Sequence, residues 1–258
     1  LNTREEGDHM KSNIRTLTFT ALMTAFVFIT TSVIKIPIPF TNGYIHAGDT
    51  AIFLGGILLG PVHGALAAGI GSAMADLLGG YAHWALPTLL IKGFMGLIVG
   101  YFSSEKRNQK RVLLSASLVW ISSLFTFIYT AGNTAAETIM EHVEGASSLA
   151  LASEIVKNLN TQLLIVAIGL PAVSLLLFKL KDRYGVTLSQ LVGMIVAGIV
   201  MVLGYFVASG IIYGNFLASI FSVPWNIVQF GIGGILAFVI NAGLSRSPVK
   251  RKLLHYRS

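Results

Sequence analysis

Asp49, Asp76 and Lys92 stand in a stretch otherwise rich in glycine, alanine and apolar side chains, Ile36 to Gly100, with Asn42, Tyr44, His46, Tyr81, His83 and Trp84 interleaved among them. A charge in hydrocarbon costs about 3 kcal/mol even on lenient insertion scales, so each of the three needs a reason to be there. Rings to stack on and a few polar groups to fix orientation make a small-molecule site. Far along the chain, Pro224-Trp225-Asn226 followed by Gln229 sets two amides one helical turn apart on one face. Amides so arranged satisfy a polar ring or a hydroxyl without a net charge.

Each of these residues also has a plainer reading. Lys92 is about five residues beyond Pro87, and its amine either snorkels outward or pairs with Asp76 at the end of the preceding span. A structural ion pair and a ligand contact both stand. Asp49 follows Gly48 at a helix start, where a carboxylate caps free N–H groups and suits the helix dipole; capping is the simpler account. His46 and His83 fall in outer loops, the ordinary place for a hydrogen-bonding histidine. Tyr44, Tyr81, Trp84 and Trp225 fall at one interface, which suits an aromatic belt as well as a cavity mouth. The chain has no cysteine, so it has no disulfide and no thiolate metal site, and no metal is expected. Neither HExxH nor GxSxG occurs, and the chain is not expected to be an enzyme. A phosphate-binding loop of the GxxxxGK[ST] type is missing as well, so any ATP would be used by other subunits.

The elements that must position these groups are membrane helices. Mean hydropathy is +0.74, with 54% hydrophobic and 11% charged residues, values that mark an all-α polytopic membrane bundle. The net charge of +7 comes from Lys and Arg in short runs beside apolar segments, the pattern of cytoplasmic loops; no nucleic-acid partner is expected. Spans are expected at Ile14–Ile34, at Thr50–Ala75 broken into two helices by Gly60-Pro61, and at Pro87–Phe102, Val112–Ala131, Thr161–Phe178, Leu191–Tyr213 and Val223–Leu244. That makes about eight. Breaking the second segment in two brings the basic run Glu105–Arg111 to the cytoplasm, and both termini with it. Glu137, Glu141 and Glu144, opposite Ile139, Met140 and Val143, predict a short helix on the outer interface. Ala21 and Ala25 form a small-residue step that lets another helix approach.

The run IPIPFTNGYIHAGD at Ile36–Asp49, then FLGGILLGP, GSAMADLLGGYA and TLLIKG, resembles the substrate-binding S components of energy-coupling factor (ECF) transporters, and within them the hydroxymethylpyrimidine and vitamin B6 precursor branch. The resemblance covers Asn13–Tyr101 and, more loosely, Leu191–Leu244. It implies a six-helix core in a bacterial cytoplasmic membrane that captures a vitamin at its outer face. The partners it implies are a transmembrane coupling subunit and two ABC-type ATPases, which would use the ATP. It also implies that Ala21 and Ala25 dock on the coupling subunit, that the loop Asn42–Asp49 covers the ligand, and that Asn226 and Gln229 are polar contacts to it. Residues 105–188 then read as an inserted helix hairpin with an acidic outer loop, between an N-terminal half at 10–104 and two last core helices at 189–246. Residues 1–9 read as a leftover linker and 247–258 as a basic cytoplasmic tail. Two alternatives remain: an S component for another vitamin, such as pantothenate or riboflavin, and an ion-coupled secondary transporter, although no internal repeat supports the latter.

Overall fold

Where hydrocarbon replaces water, every backbone N–H and C=O must find its partner inside the chain, and helices do that locally. The computed structural model describes residues 3–37, 44–104, 109–143 and 146–245. Its ten α-helices are α1 (Thr3–Val33), α2 (Gly48–Leu59), α3 (Pro61–Leu78), α4 (Ala85–Ser104), α5 (Gln109–Asn133), α6 (Ala136–His142), α7 (Leu149–Tyr184), α8 (Leu188–Tyr213), α9 (Phe216–Ile220) and α10 (Ser222–Ser245). Two short strands, β1 (Lys35–Pro37) and β2 (Tyr44–His46), pair antiparallel between α1 and α2 with Ile36 opposite Ile45. Asn42, Glu144 and the basic tail 247–258 lie outside the described residues.

Six stretches, built on α1, α4, α5, α7, α8 and α10, are long and apolar enough to cross a membrane. The expected eight spans therefore resolve into six crossings plus the pair α2 and α3. The break between those two falls where Gly60-Pro61 predicts it: Gly60 takes φ 83°, open to glycine at no steric cost, and Pro61 starts α3. With 12 residues, α2 spans only about 18 Å at 1.5 Å per residue, against a hydrocarbon core of roughly 30 Å. Glycine, alanine, His63 and Asp76 dilute the hydropathy of α3.

Two helix starts differ from those expected. α1 extends back to Thr3, through residues read as a linker. α7 starts at Leu149 rather than near Thr161 and runs 36 residues, because Ser148 caps its first turn by accepting from the Leu151 N–H at 3.3 Å. Half of the predicted acidic loop is thus helix. The other half holds α6, which buries Ile139 but leaves Met140 facing outward.

α3 packs antiparallel against α4 through glycines. A Cβ on Gly69 would lie 2.7 Å from the Leu89 carbonyl oxygen, one on Gly96 would strike the backbone of Gly64, and one on Gly100 the backbone of Gly60 and Pro61. α2 runs alongside α4, with Gly56 against the Gly96 carbonyl. α8 and α10 close the core by packing on α4 and α2, whereas α5 and α7 pack on each other and on α8 and α10. Ala21 and Ala25 are exposed on α1 between the exposed Leu22, Phe26 and Ile29, so they do not pack within the bundle.

Gly96→Leu is expected to cost about 1–3 kcal/mol, the usual penalty of overpacking, and to lower the melting temperature of the purified chain in detergent. Gly243→Ala, with nothing within 4 Å of the added carbon, should leave it unchanged.

Candidate functional site

The short helix α2 begins inside the bundle, and its second residue, Asp49, is fully buried. Lys92, about 10 Å down α4 by helical rise, reaches it: Nζ lies 2.5 Å from Asp49 Oδ1, and both side chains are wholly buried. Asp49 Oδ2 accepts from Gln229 Nε2 at 3.0 Å, and Gln229 Oε1 accepts the backbone N–H of His46 at 3.0 Å. Lys92 Nζ also lies 3.3 Å from Met201 Sδ and 5.3 Å from the centre of the Tyr205 ring. One carboxylate thus joins α2 to α4 and α10, and through Gln229 to β2. The expected partner of Lys92, Asp76, is not the one it takes, because α2 starts at the depth of Lys92 while Asp76 lies at the far end of α3. Nor does Asp49 cap its helix: Ala47 is the N-cap residue, with no side-chain cap, and the carboxylate in the first turn is taken by Lys92 and Gln229.

Just outside this pair lies a cavity of about 520 Å³ with its open mouth included. Tyr44 and His46 of the β hairpin, Asp76 at the end of α3, Trp84 and Thr88 at the start of α4, Tyr205 and Ser209 of α8, and Ser222, Asn226 and Gln229 of α10 line it. Tyr44 donates its hydroxyl to Asp76 Oδ1 at 2.6 Å. Burial, and after it that hydrogen bond, pushes the Tyr44 phenol up, so it remains a donor. Tyr205 donates to Thr88 Oγ1 at 3.2 Å, and Thr88 bonds in turn to Asp76. His46 Nδ1 accepts from the Gly48 N–H at 3.0 Å, and burial drives its imidazole down to about 3, so the ring is neutral with its proton on Nε2. Asn226 is 6% exposed, and its amide has no hydrogen bond to any described residue.

Of the residues singled out in the sequence, Tyr44, His46, Trp84, Asn226 and Gln229 meet at this cavity. Asp49 and Lys92 lie behind its wall. Tyr81 sits on the Tyr44 ring at 4.6 Å between centres, and Lys35 reaches over both rings, at 4.6 and 5.2 Å. His83 turns outward to the Tyr213 hydroxyl at 3.0 Å, which Trp84 Nε1 also approaches at 3.0 Å. Thr88, Tyr205, Ser209 and Ser222 were not expected in the site. A hydroxyl in an apolar span carries no periodic signal, and only the spacing Thr88–Lys92, one turn apart on α4, hints that the first shares a face with a known polar residue.

Residues 11–177 match the family described as ECF-type riboflavin transporter, S component, a stretch that covers more than half of the chain. The chain belongs to that family. As an S component it is a multi-pass membrane protein, the substrate-binding subunit of an ECF transporter, and it works with an energy-coupling module; the family is one of transporters and not of enzymes. The matching family is named for riboflavin, not for the hydroxymethylpyrimidine and vitamin B6 branch that the sequence resembles. Among similar proteins, an uncharacterized protein in the gap 3' region of Pyrococcus woesei is 40% identical over 129 residues, 48% of this chain and 86% of that protein. A UPF0397 protein of Lactiplantibacillus plantarum is 27% identical over 111 residues, 43% of this chain, and one of Streptococcus pneumoniae is 35% identical over 83 residues, 32% of it. The chain spans 59% and 45% of the lengths of those two UPF0397 proteins.

Removing one member of a buried pair strands the other charge, at about 3–5 kcal/mol, whereas removing both is often neutral. Lys92→Met is therefore expected to lower the melting temperature sharply, and the double variant Asp49→Leu with Lys92→Met to recover most of the loss.

Proposed function

We propose that this S component captures a flat heteroaromatic vitamin or vitamin precursor, of the hydroxymethylpyrimidine or vitamin B6 kind, in the cavity beneath the β1–β2 hairpin. The observation that carries this reading is a cavity walled by Tyr44, Trp84 and Tyr205 into which a buried amide, Asn226, brings unused hydrogen-bonding capacity. An amide facing a cavity gives a ligand both a donor and an acceptor, each worth about 1 kcal/mol when well made. The rings supply stacking surface, while Asn226 and Gln229 orient the polar edge of the heterocycle. Tyr81 belongs to the cover over the mouth, and His83 fixes its rim through Tyr213.

Capture occurs from outside the cell. The hairpin and the start of α4 face outward, and the basic residues at the opposite end, among them Arg111, Lys179, Lys181 and Arg183, face the cytoplasm with both termini. The exposed step Ala21 and Ala25 lets a helix of the coupling subunit approach α1 closely. Two ATPases on the cytoplasmic side then drive release with ATP, while this chain does no chemistry on its cargo. In an ion-coupled transporter Asp49 and Lys92 would have to take up and release the driving ion, but here each closes the other's charge.

Titration of the purified chain with hydroxymethylpyrimidine, pyridoxine, riboflavin, pantothenate and thiamine, followed by tryptophan fluorescence, tests the reading. Saturable binding of a heteroaromatic member supports it, and no binding by any of the five counts against it. Asn226→Ala is expected to weaken that binding by about tenfold, the worth of one well-made hydrogen bond in a desolvated site, without lowering the melting temperature. Ala21→Trp should leave binding intact and abolish uptake in the complete transporter; intact uptake would sink the docking assignment.

A further inference from the structure

Counting protons around the cavity gives it a direction. Tyr44 spends its hydroxyl proton on Asp76, Tyr205 spends its own on Thr88, and Ser222 donates to the Ser219 carbonyl at 2.8 Å. With those donors used, what the three hydroxyls offer a ligand is oxygen lone pairs. Asp76 adds a carboxylate that is 4% exposed, and it is the one acidic or basic chain-end charge among the described lining residues. Among the described residues Asp76 has hydroxyl partners but no ion pair: Lys92 is taken by Asp49, and Lys35 turns to the Ala75 carbonyl at 3.5 Å and to the two tyrosine rings. This side of the cavity is a wall of acceptors around a carboxylate bonded by hydroxyls, with the ammonium groups of Lys35 and Lys92 acting on it only through space. The opposite side holds the donors, His46 Nε2 and the Asn226 amide, beside Gln229, whose Nε2 is directed to Asp49 Oδ2 and Met201 Sδ.

We infer that the cavity selects its ligand by charge and hydrogen-bond polarity, with Asp76 as the specificity-determining residue. It takes a nitrogen heterocycle that turns an amino or cationic N–H edge toward Asp76 and carries no carboxylate or phosphate. This rests on the capture reading above and narrows it. The opposite edge of the ring, with a bare ring nitrogen or a carbonyl, meets Asn226 and His46. Trp84, Tyr205 and Tyr44 favour a cation as well, since aromatic faces attract positive charge. An anion would stand against the Asp76 carboxylate in a site with no cation free to meet it, and a carbonyl placed there would oppose lone pair to lone pair. A site built to bond one polarity rejects the opposite one far more strongly than it rejects a change in size.

Two matched pairs of ligands test this on the purified chain in detergent, with tryptophan fluorescence and calorimetry as independent readouts. The first is 4-amino-5-hydroxymethyl-2-methylpyrimidine against its 4-oxo counterpart, and the second is pyridoxamine against 4-pyridoxate. The amino or cationic member of at least one pair is expected to bind about tenfold tighter or better. Asp76→Asn, whose amide can donate, should shrink that gap to under about threefold or invert it in favour of the oxo compound. Equal or tighter binding of the oxo compound and of the carboxylate overturns the selection while leaving capture standing, as does a gap unchanged in Asp76→Asn. Absence of saturable binding by these four and by the vitamin panel overturns capture itself, and the selection with it. Should Asp76→Asn not elute as a single species, the matched pairs on the unaltered chain decide alone.

Discussion

The fold depends on one buried ion pair. Asp49 and Lys92 meet at 2.5 Å with no solvent access on either side chain. Desolvating two charges costs several kcal/mol each, and their attraction offsets this only with good geometry and further hydrogen bonds. Both conditions hold: Gln229 takes the second carboxylate oxygen, and Met201 and the Tyr205 ring surround the ammonium. The pair demands that α2 begin at the depth of Lys92, so the chain leaving α1 has to come back into the bundle, and it does so as the β1–β2 hairpin. A half-length helix under a two-stranded cover is the shape this requirement produces. The N-terminal position of Asp49 in α2 adds the favourable end of the helix dipole.

Glycine provides the second condition. Because Gly56, Gly64, Gly69, Gly96 and Gly100 bring α2, α3 and α4 into backbone contact, the three helices form a thin slab, and aromatic rings cluster around its outer end. Trp84, Tyr44 and Tyr81 gather there, while α8 and α10 lean against the slab with Tyr205, Ser209, Asn226 and Gln229 on the facing sides. The cavity is thus the space left where close helix approach stops and bulky rings begin. Among the long-range ties across it, Gln229 reaches His46 from 183 residues away and Asp49 from 180, and Tyr205 reaches Thr88 from 117. α10 and α8 are consequently held in register with α2 and α4 by polar contacts where apolar packing alone has no preferred register.

Local features of this design are legible in the sequence and long-range ones are not. Gly60-Pro61 marks its break because the two residues constrain their own backbone. Asn226 and Gln229 declare a shared face because they lie three apart in a helix. The partner of Lys92 is a matter of relative depth between helices, which depends on the re-entry of the hairpin, and no spacing along the chain encodes it. Asp76, seen in the sequence as a candidate partner for Lys92, instead gathers Tyr44 and Thr88. The segment before Thr161 reads as loop although α7 is already helical from Leu149, since an interfacial helix turn and a loop share the same polar composition. The exposure of Ala21 and Ala25 is likewise a tertiary fact: a small-residue step faces the bundle or away from it according to which side of α1 the glycines of α3 contact, and Gly71 meets α1 at Thr24 and Val27.

The separation of the ion pair from the cavity divides labour between two carboxylates of the same membrane half. Asp49 has its charge met by Lys92 and no face on the cavity, so it contributes to where the helices sit and is indifferent to what is bound. Asp76 takes its hydrogen bonds from hydroxyls, with Lys35 and Lys92 acting on it only through space, and opens on the cavity, so it contributes much to what the site accepts. A protein built this way can change cargo by altering Asp76, Thr88, Ser209 or Asn226 while the Asp49–Lys92–Gln229 junction keeps the frame. Gln229 is where the two roles touch, since its amide serves the junction through Asp49 Oδ2 and the His46 N–H while its side chain also lines the cavity. A ligand that packs against it therefore meets a side chain already held in place on both sides, by Asp49 and by the backbone of β2, and recognition gains from a group whose ordering folding has already accomplished.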